Sequence, residues 1–410
     1  MTDLDIFINA PDGLTDVELS AYFDDACGDD KALRAQVESL VAAHRGSTTF
    51  MELAPLRSTG KAGTSPLTDP EQPGSVIDRY RLIEKIGTGG FGVVWMAEQT
   101  EPVRRRVALK IVKLGMDTAK VIRRFEAERQ ALALMEHANI AAVHDAGATD
   151  RGRPFFVMEL VQGVPITQYC DDKDLSTRER LQLFIPVCQA IQHAHQKGII
   201  HRDIKPSNVM VSLQDGVPVP KVIDFGIAKA TEQTLTEETL FTQVNQFIGT
   251  PAYMSPEQTG LGGLDIDTRS DIYSLGILLY ELLTGSTPFD TKELLQSGLA
   301  EMNRIIREKD PIRPSTRLTQ MQASRPCQIQ NRKAKIESDL DWIVMKCLAK
   351  DRTLRYDTAN SLAQDLNRHL LNEPVLARPP STVYRISKAW CRHKLALTAA
   401  LAVALALIIG

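Results

Sequence analysis

Four short polar signatures, far apart in the chain, can act together only if the fold brings them to one place. Gly87, Gly89 and Gly92 form a GxGxxG turn, Lys110 ends the string Val107-Ala108-Leu109-Lys110, residues 201–208 read HRDIKPSN, and residues 224–226 read DFG. Each string is short enough to arise by chance, but their order and spacing together are not. Convergence of this kind needs a large domain with a cleft. A chain of 410 residues, 43% hydrophobic and 24% charged, has enough apolar material for two lobes plus appendages.

Hydrophobic patterning assigns the lobes. The chain alternates apolar and polar residues from about Tyr80 to Ile86, breaks at IGTGGFGVV and resumes as VALKIVKL from Val107. That pattern predicts a strand, a glycine turn, a strand and a third strand. A helix is expected from about Thr118 to Glu136, then strands near Ile140–Ala146 and Phe155–Leu160. After Gly163 the periodicity turns helical. Ser176 and Glu179 form a capping box that opens a helix with the apolar stripe Leu181, Phe184, Cys188 and Ile191, ending at Gly198. Pro186 falls inside it and predicts a bend. The run DIYSLGILLYELL, residues 271–283, is apolar nearly all round and stops at Gly285, as a helix buried in a large lobe would. The fold class is therefore α+β, with a β-rich small lobe and an α-helical large lobe. The polar, basic stretch from about Lys309 to Ser338, with Pro311, Pro314 and Pro326, reads as a disordered surface loop; a docking site for acidic partners is the alternative.

The flanks carry no chemistry. Residues 1–57 show helical periodicity, and residues 58–79 are rich in Ser, Thr, Gly and Pro, as in a flexible linker. The acidic start (Asp3, Asp5, Asp12, Asp16) lacks the basic-then-apolar order of a secretory signal. Six widely spaced cysteines without a CxxC pair argue against zinc and against a disulfide framework. A net charge of -3 and a pI near 6.3 offer no cationic field, which excludes a nucleic-acid partner.

At the other end, residues 395–410 are apolar except for Thr398, and Arg378, Arg385, Lys388, Arg392 and Lys394 crowd the segment 374–394 before them. Sixteen helical residues rise roughly 24 Å, short of the roughly 30 Å hydrocarbon core. The run is thus expected to be the start of a single membrane-spanning helix that continues beyond residue 410. The positive-inside rule then puts the preceding domain in the cytoplasm, at the inner or plasma membrane.

The central residues point to phosphate chemistry. Glycines without side chains let backbone N–H groups approach phosphate oxygens. A dinucleotide-binding turn shares the GxGxxG string but opens a helix, whereas Phe91–Ala97 reads as a strand. Lys110 is placed to hold nucleotide phosphates as a point charge, with Glu128 or Glu126 to orient it. Asp203 is the candidate base for an attacking hydroxyl, Lys205 a cation for the transferring group, and Asn208 and Asp224 oxygen ligands suited to Mg²⁺, with Mn²⁺ as a substitute.

Residues 80–373 resemble a eukaryotic-type (Hanks-type) protein kinase domain of the Ser/Thr subclass found in bacteria. HRDIKPSN resembles the catalytic loop, DFG the metal-binding loop, and GTPAYMSPE at residues 249–257 the end of the activation segment. Ser255 for the usual alanine in the last of these, and HAN at residues 137–139 for His-Pro-Asn, are small departures. The resemblance implies ATP as cosubstrate, protein Ser/Thr hydroxyls as acceptors (from Lys205 and Thr250), and a homodimer among the assemblies that relatives form. It favours Glu128 over Glu126. It implies a nucleotide pocket of Ile86, Gly87, Gly89, Gly90, Gly92, Val94, Ala108 and Lys110, with Met158 as gatekeeper and Glu159 to Val161 as the adenine-binding hinge. It also implies that Asp271 braces the catalytic loop and that Glu257 pairs with Arg355. A scaffold that binds nucleotide without catalysis and a small-molecule phosphotransferase are the rival classes; the polypeptide-seating GTPAYMSPE segment disfavours the latter.

Arg202 beside Asp203 implies control by a phosphate in the activation segment, with Thr242 preferred over Thr239. Replacing both threonines with alanine is expected to lower turnover in a phosphate-transfer assay; unchanged turnover would remove this control mechanism.

Overall fold

Period-two alternation builds the small lobe. Strands β1 (Val76–Ile77), β2 (Tyr80–Gly89), β3 (Gly92–Gln99), β4 (Arg105–Val112), β5 (Val143–Ala148) and β6 (Pro154–Glu159) form one antiparallel sheet in the order β1-β2-β3-β4-β6-β5. The computed structural model describes residues 71–89, 92–112, 135–150, 152–225, 251–259, 266–324 and 336–392. Val93, Trp95, Ala97, Val107, Leu109, Ile111, Phe155 and Val157 point to one face and pack with Ile77, Tyr80 and Leu82 into the small-lobe core. The ordered sheet thus begins at Val76, inside the 58–79 stretch that composition marks as linker.

The chain then passes through β7 (Val164–Pro165) into α1 (Ile166–Asp172) and α2 (Thr177–Gln196). Ser176 caps α2: its Oγ accepts from the Glu179 N–H, and the Glu179 carboxylate accepts from the Ser176 N–H at 2.8 Å, the predicted box. Helix α2 runs as one element through Pro186. The carbonyl that loses its N–H partner there belongs to Gln182, an exposed residue that water can satisfy. Strands β8 (Val209–Gln214) and β9 (Val217–Val222) complete a three-stranded sheet with β7.

Helix α3 (Thr268–Thr284) is buried along almost its whole length and ends at Gly285 in the left-handed conformation, φ 80°. The lobe continues with α4 (Thr291–Gln296), α5 (Leu299–Glu308), α6 (Pro314–Ser324), α7 (Ser338–Cys347) and α8 (Ala359–Leu370), of which α6 and α7 pack against α3. A further helix, α9 (Thr382–Arg392), follows the lobe.

The expected disordered loop at 309–338 is corrected over residues 314–324, which form α6, while residues 325–335 lie outside the described residues. Pro314 takes the first helical position, where its missing N–H costs nothing. The Ser315 N–H and Oγ donate to Asp341 of α7 at 2.9 and 2.5 Å, and Leu318 is buried. The helix expected from Thr118 lies outside the described residues except at its last two positions, Met135 and Glu136, which are not helical. Residues 1–70 and 395–410 are likewise outside. Among the described residues no helix is long and apolar enough to cross a membrane.

Close approach of α3 and α7 requires a glycine. A Cβ on Gly276 would lie 2.5 Å from the Cys347 Cβ and 3.1 Å from a Leu348 methyl carbon. Gly276→Ala is therefore expected to destabilise the large lobe by about 1–3 kcal/mol through overpacking, read as a lower thermal unfolding midpoint.

Candidate functional site

The cleft wall is the second face of the small-lobe sheet. Directly paired residues in antiparallel strands share a face, and the register pairs Val94 with Lys110, Lys110 with Phe156, and Ala108 with Met158. All of them lie opposite the Val107–Leu109–Ile111 face, so four residues nominated for the pocket, Val94, Ala108, Lys110 and Met158, line one surface. The glycine turn closes over it: Gly87 pairs with Val94, and Gly89 with Gly92. Ile86 sits at the register shift between Lys85 and Gly87 and is 48% exposed. A Cβ on Gly92 would come within 2.3 Å of the Ile111 carbonyl oxygen, so only glycine fits there. Gly90 and both candidate partners of Lys110, Glu126 and Glu128, lie outside the described residues.

Lys110 is ion-paired with Asp224, the first residue of DFG. Both side chains are partly buried. Asp224 itself takes a left-handed backbone, φ 58°, unusual for a non-glycine residue and typical of sites where surrounding structure enforces strain.

The HRDIKPSN loop is wired internally. Lys205 Nζ lies 2.8 Å from Asp203 Oδ2. The Asn208 amide donates to the Asp203 carbonyl at 2.8 Å and to its carboxylate at 3.0 Å. Ile223 N–H donates to the Asn208 carbonyl at 2.9 Å, which links this loop to the residue before Asp224. His201 is fully buried and burial lowers its pKa, which keeps it neutral. Its Nδ1 accepts from the Asp203 N–H at 3.3 Å, so the proton sits on Nε2, facing the Ile223 carbonyl at 3.2 Å. Its ring packs on Phe225 at 4.6 Å.

Beneath the loop sits Asp271, wholly buried on α3. Its carboxylate accepts the backbone N–H groups of His201 and Arg202, both at 2.8 Å, and the His195 Nε2 at 2.8 Å. Burial alone would raise its pKa; the bonds from His195 and His201 outweigh it and hold the carboxyl low. The brace holds Arg202 in a left-handed conformation, φ 63°. Sequence reasoning anticipated Asp271 but not His195, whose only signal was a histidine late on α2.

Glu257 and Arg355 form the pair implied by the resemblance. Arg355 Nη1 and Nη2 donate to the two Glu257 oxygens at 2.7 and 2.9 Å, a bidentate fork. The Ser270 hydroxyl adds a bond to Glu257 at 2.6 Å. Burial would raise the Glu257 carboxyl, but Arg355 overcomes it and lowers it.

One nominated side chain is otherwise engaged. The Glu159 carboxylate accepts from Lys221 Nζ at 2.6 and 2.7 Å and its N–H donates to the Ala142 carbonyl at 2.8 Å, so neither is available to a ligand at this hinge position. Val161 follows it, half-buried. Thr239, Thr242 and Thr250 lie outside the described residues.

A family model described as the protein kinase domain matches residues 80–369. Among curated proteins, the serine/threonine-protein kinase PknB of Mycolicibacterium smegmatis is 38% identical over 302 residues, covering 72% of this chain and 44% of the relative. PknB of Mycobacterium leprae is 37% identical, covering 74% and 44%. A probable PknB of Lactococcus lactis is 35% identical, covering 70% and 42%. The chain thus matches less than half the length of these relatives. Among solved structures, the Mycobacterium tuberculosis PknI kinase domain superposes with a TM-score of 0.51 at 25% identity, over 73% of this chain and 98% of that one.

Breaking the Glu257–Arg355 fork leaves a buried charge unpaired. Arg355→Ala is expected to cost about 3–5 kcal/mol, read as a lower urea midpoint. Because the Glu257 carboxyl is held low, its share of stability is present at neutral pH and above the ordinary carboxylate range. It is lost as pH falls through the depressed folded value.

Proposed function

Because the chain belongs to the protein kinase domain family, we propose that it is a Ser/Thr protein kinase that transfers the γ-phosphate of ATP to protein hydroxyls, itself among them. The observation that carries this reading is the single wired loop in which Asp203, Lys205 and Asn208 are held together and tied through Ile223 to Asp224. An incoming serine or threonine hydroxyl gives its proton to the Asp203 carboxylate as its oxygen bonds to the γ-phosphorus. The bond from that phosphorus to the bridging oxygen breaks, and ADP leaves. The Lys205 ammonium stabilises charge on the transferring group.

Lys110 belongs on the nucleotide phosphates, so its pairing with Asp224 is the contact that a bound nucleotide rearranges. Val94, Ala108 and Met158 supply an apolar wall for the base, and the Glu159 carbonyl and the Val161 backbone supply its polar edge contacts. Family membership implies a divalent metal as well as ATP. Asn208 Oδ1 and the Asp224 carboxylate are hard oxygen donors that fit Mg²⁺, which when bound neutralises phosphate charge. The apolar run at 395–410, preceded by five basic residues, supports a single-pass anchor at the inner or plasma membrane with the kinase domain on the cytoplasmic side.

The test is incubation of the full chain with Mg²⁺-ATP, with phosphate incorporation followed by intact mass and peptide mapping. Phosphoserine or phosphothreonine is expected on the wild type, and a loss of about 10²–10⁴-fold in rate in Asp203→Asn. Nucleotide binding with no incorporation into the chain or a generic basic protein would overturn the kinase reading in favour of a scaffold.

A further inference from the structure

Helix α9 has two unlike sides. Tyr384 and Lys388, one turn apart, are both about nine-tenths buried against the large lobe. Lys388 Nζ lies 2.6 Å from Asp339 Oδ2 and 3.9 Å from Glu337, and so supplies the positive charge among Glu337, Asp339 and His369. Arg378 reaches Asp339 at 3.5 Å and stacks on the Tyr384 ring at 4.2 Å. The Tyr384 hydroxyl accepts from the Val375 N–H at 3.1 Å, and Arg392 pairs with Glu373 at 3.2 Å. The segment leading to the helix is fastened as well: buried Asp365 accepts the N–H groups of Leu376 and Ala377, both at 2.8 Å.

The other side is bare. Val383 is 75% exposed and Ile386 68%, one helical turn apart, with exposed Arg385 between them. An exposed apolar pair with an arginine between its members suits the boundary between lipid headgroups and acyl chains. Charge and sequence position identify the occupant: residues 374–394 hold five Lys and Arg and no Asp or Glu. Arg378, Lys388 and Arg392 are engaged by Asp339 and Glu373 while Arg385 stays on the bare side, and the apolar run begins at Leu395, three residues past the last described residue of the helix.

We propose that α9 is a membrane-surface helix, with its Tyr384–Lys388 side clamped to the large lobe and its Val383–Arg385–Ile386 side resting on an anionic bilayer. The clamp and the lipid contact together hold the large lobe against the membrane in one orientation, with no flexible tether between them. This rests on the reading of residues 395–410 as an anchor.

The experiment uses the full chain reconstituted into phosphatidylcholine vesicles with and without phosphatidylglycerol. The photo-crosslinking residue p-benzoylphenylalanine is placed at Ile386, or as a control at Val103, which is 66% exposed on the small lobe. Lipid adducts, read by mass, are expected several-fold more often at position 386 than at 103, and more often with phosphatidylglycerol present. Adduct yields at 386 no higher than at 103, or indifferent to the anionic lipid, would overturn the proposal. An alkaline carbonate wash of parallel vesicles reads the anchor separately. A retained chain without adducts at 386 sinks the surface contact alone, whereas a chain that washes off without adducts sinks both.

Discussion

One buried carboxylate carries the geometry of the cleft floor. Asp271 comes from the most deeply buried helix of the large lobe, and its oxygens are taken by two consecutive backbone N–H groups and an imidazole. An ionised group in that position is stable only while its partners hold, so the loop beginning at His201 has one permitted path. The left-handed turn at Arg202, the orientation of Asp203 and the reach of Asn208 toward Ile223 all follow from that path. The Glu257–Arg355 fork does similar work on the segment after the activation region, tying it to the chain beyond α7.

Much of this was legible because the signals were local. Alternation at Val107, Leu109 and Ile111 assigned β4 and, by the same period, put Ala108 and Lys110 on the cleft face. The Ser176–Glu179 box marks a helix start within four residues, and all-round apolarity of 271–283 announced a helix with no solvent side. Asp203, Lys205 and Asn208 share one short loop, so their convergence needed no tertiary information.

What stayed hidden depends on partners distant in sequence. Helix α6 looks like a polar loop because the groups that stabilise it, Asp341 and the pocket for Leu318, belong to the rest of the lobe. Lys221 is separated from Glu159 by a whole set of helices and strands, and nothing near either residue advertises the pair. The segment 374–392 reads as a basic run, yet its charges are largely spent on Asp339 and Glu373.

The Glu159–Lys221 pair belongs to a wider lacing. Ala141 N–H donates to the Val222 carbonyl at 2.9 Å, Val222 N–H to the Asn139 carbonyl at 2.8 Å, and the Asn139 amide to the Pro220 carbonyl at 2.7 Å. The strand that delivers Asp224 is thereby stitched to the chain entering the small lobe and to the end of β6. Rotation of one lobe against the other about most axes would shear these bonds, whereas rotation about a line through the stitches leaves them intact. The lacing therefore restricts the axes about which the cleft can open, and Asp224 follows the laced strand by only two residues.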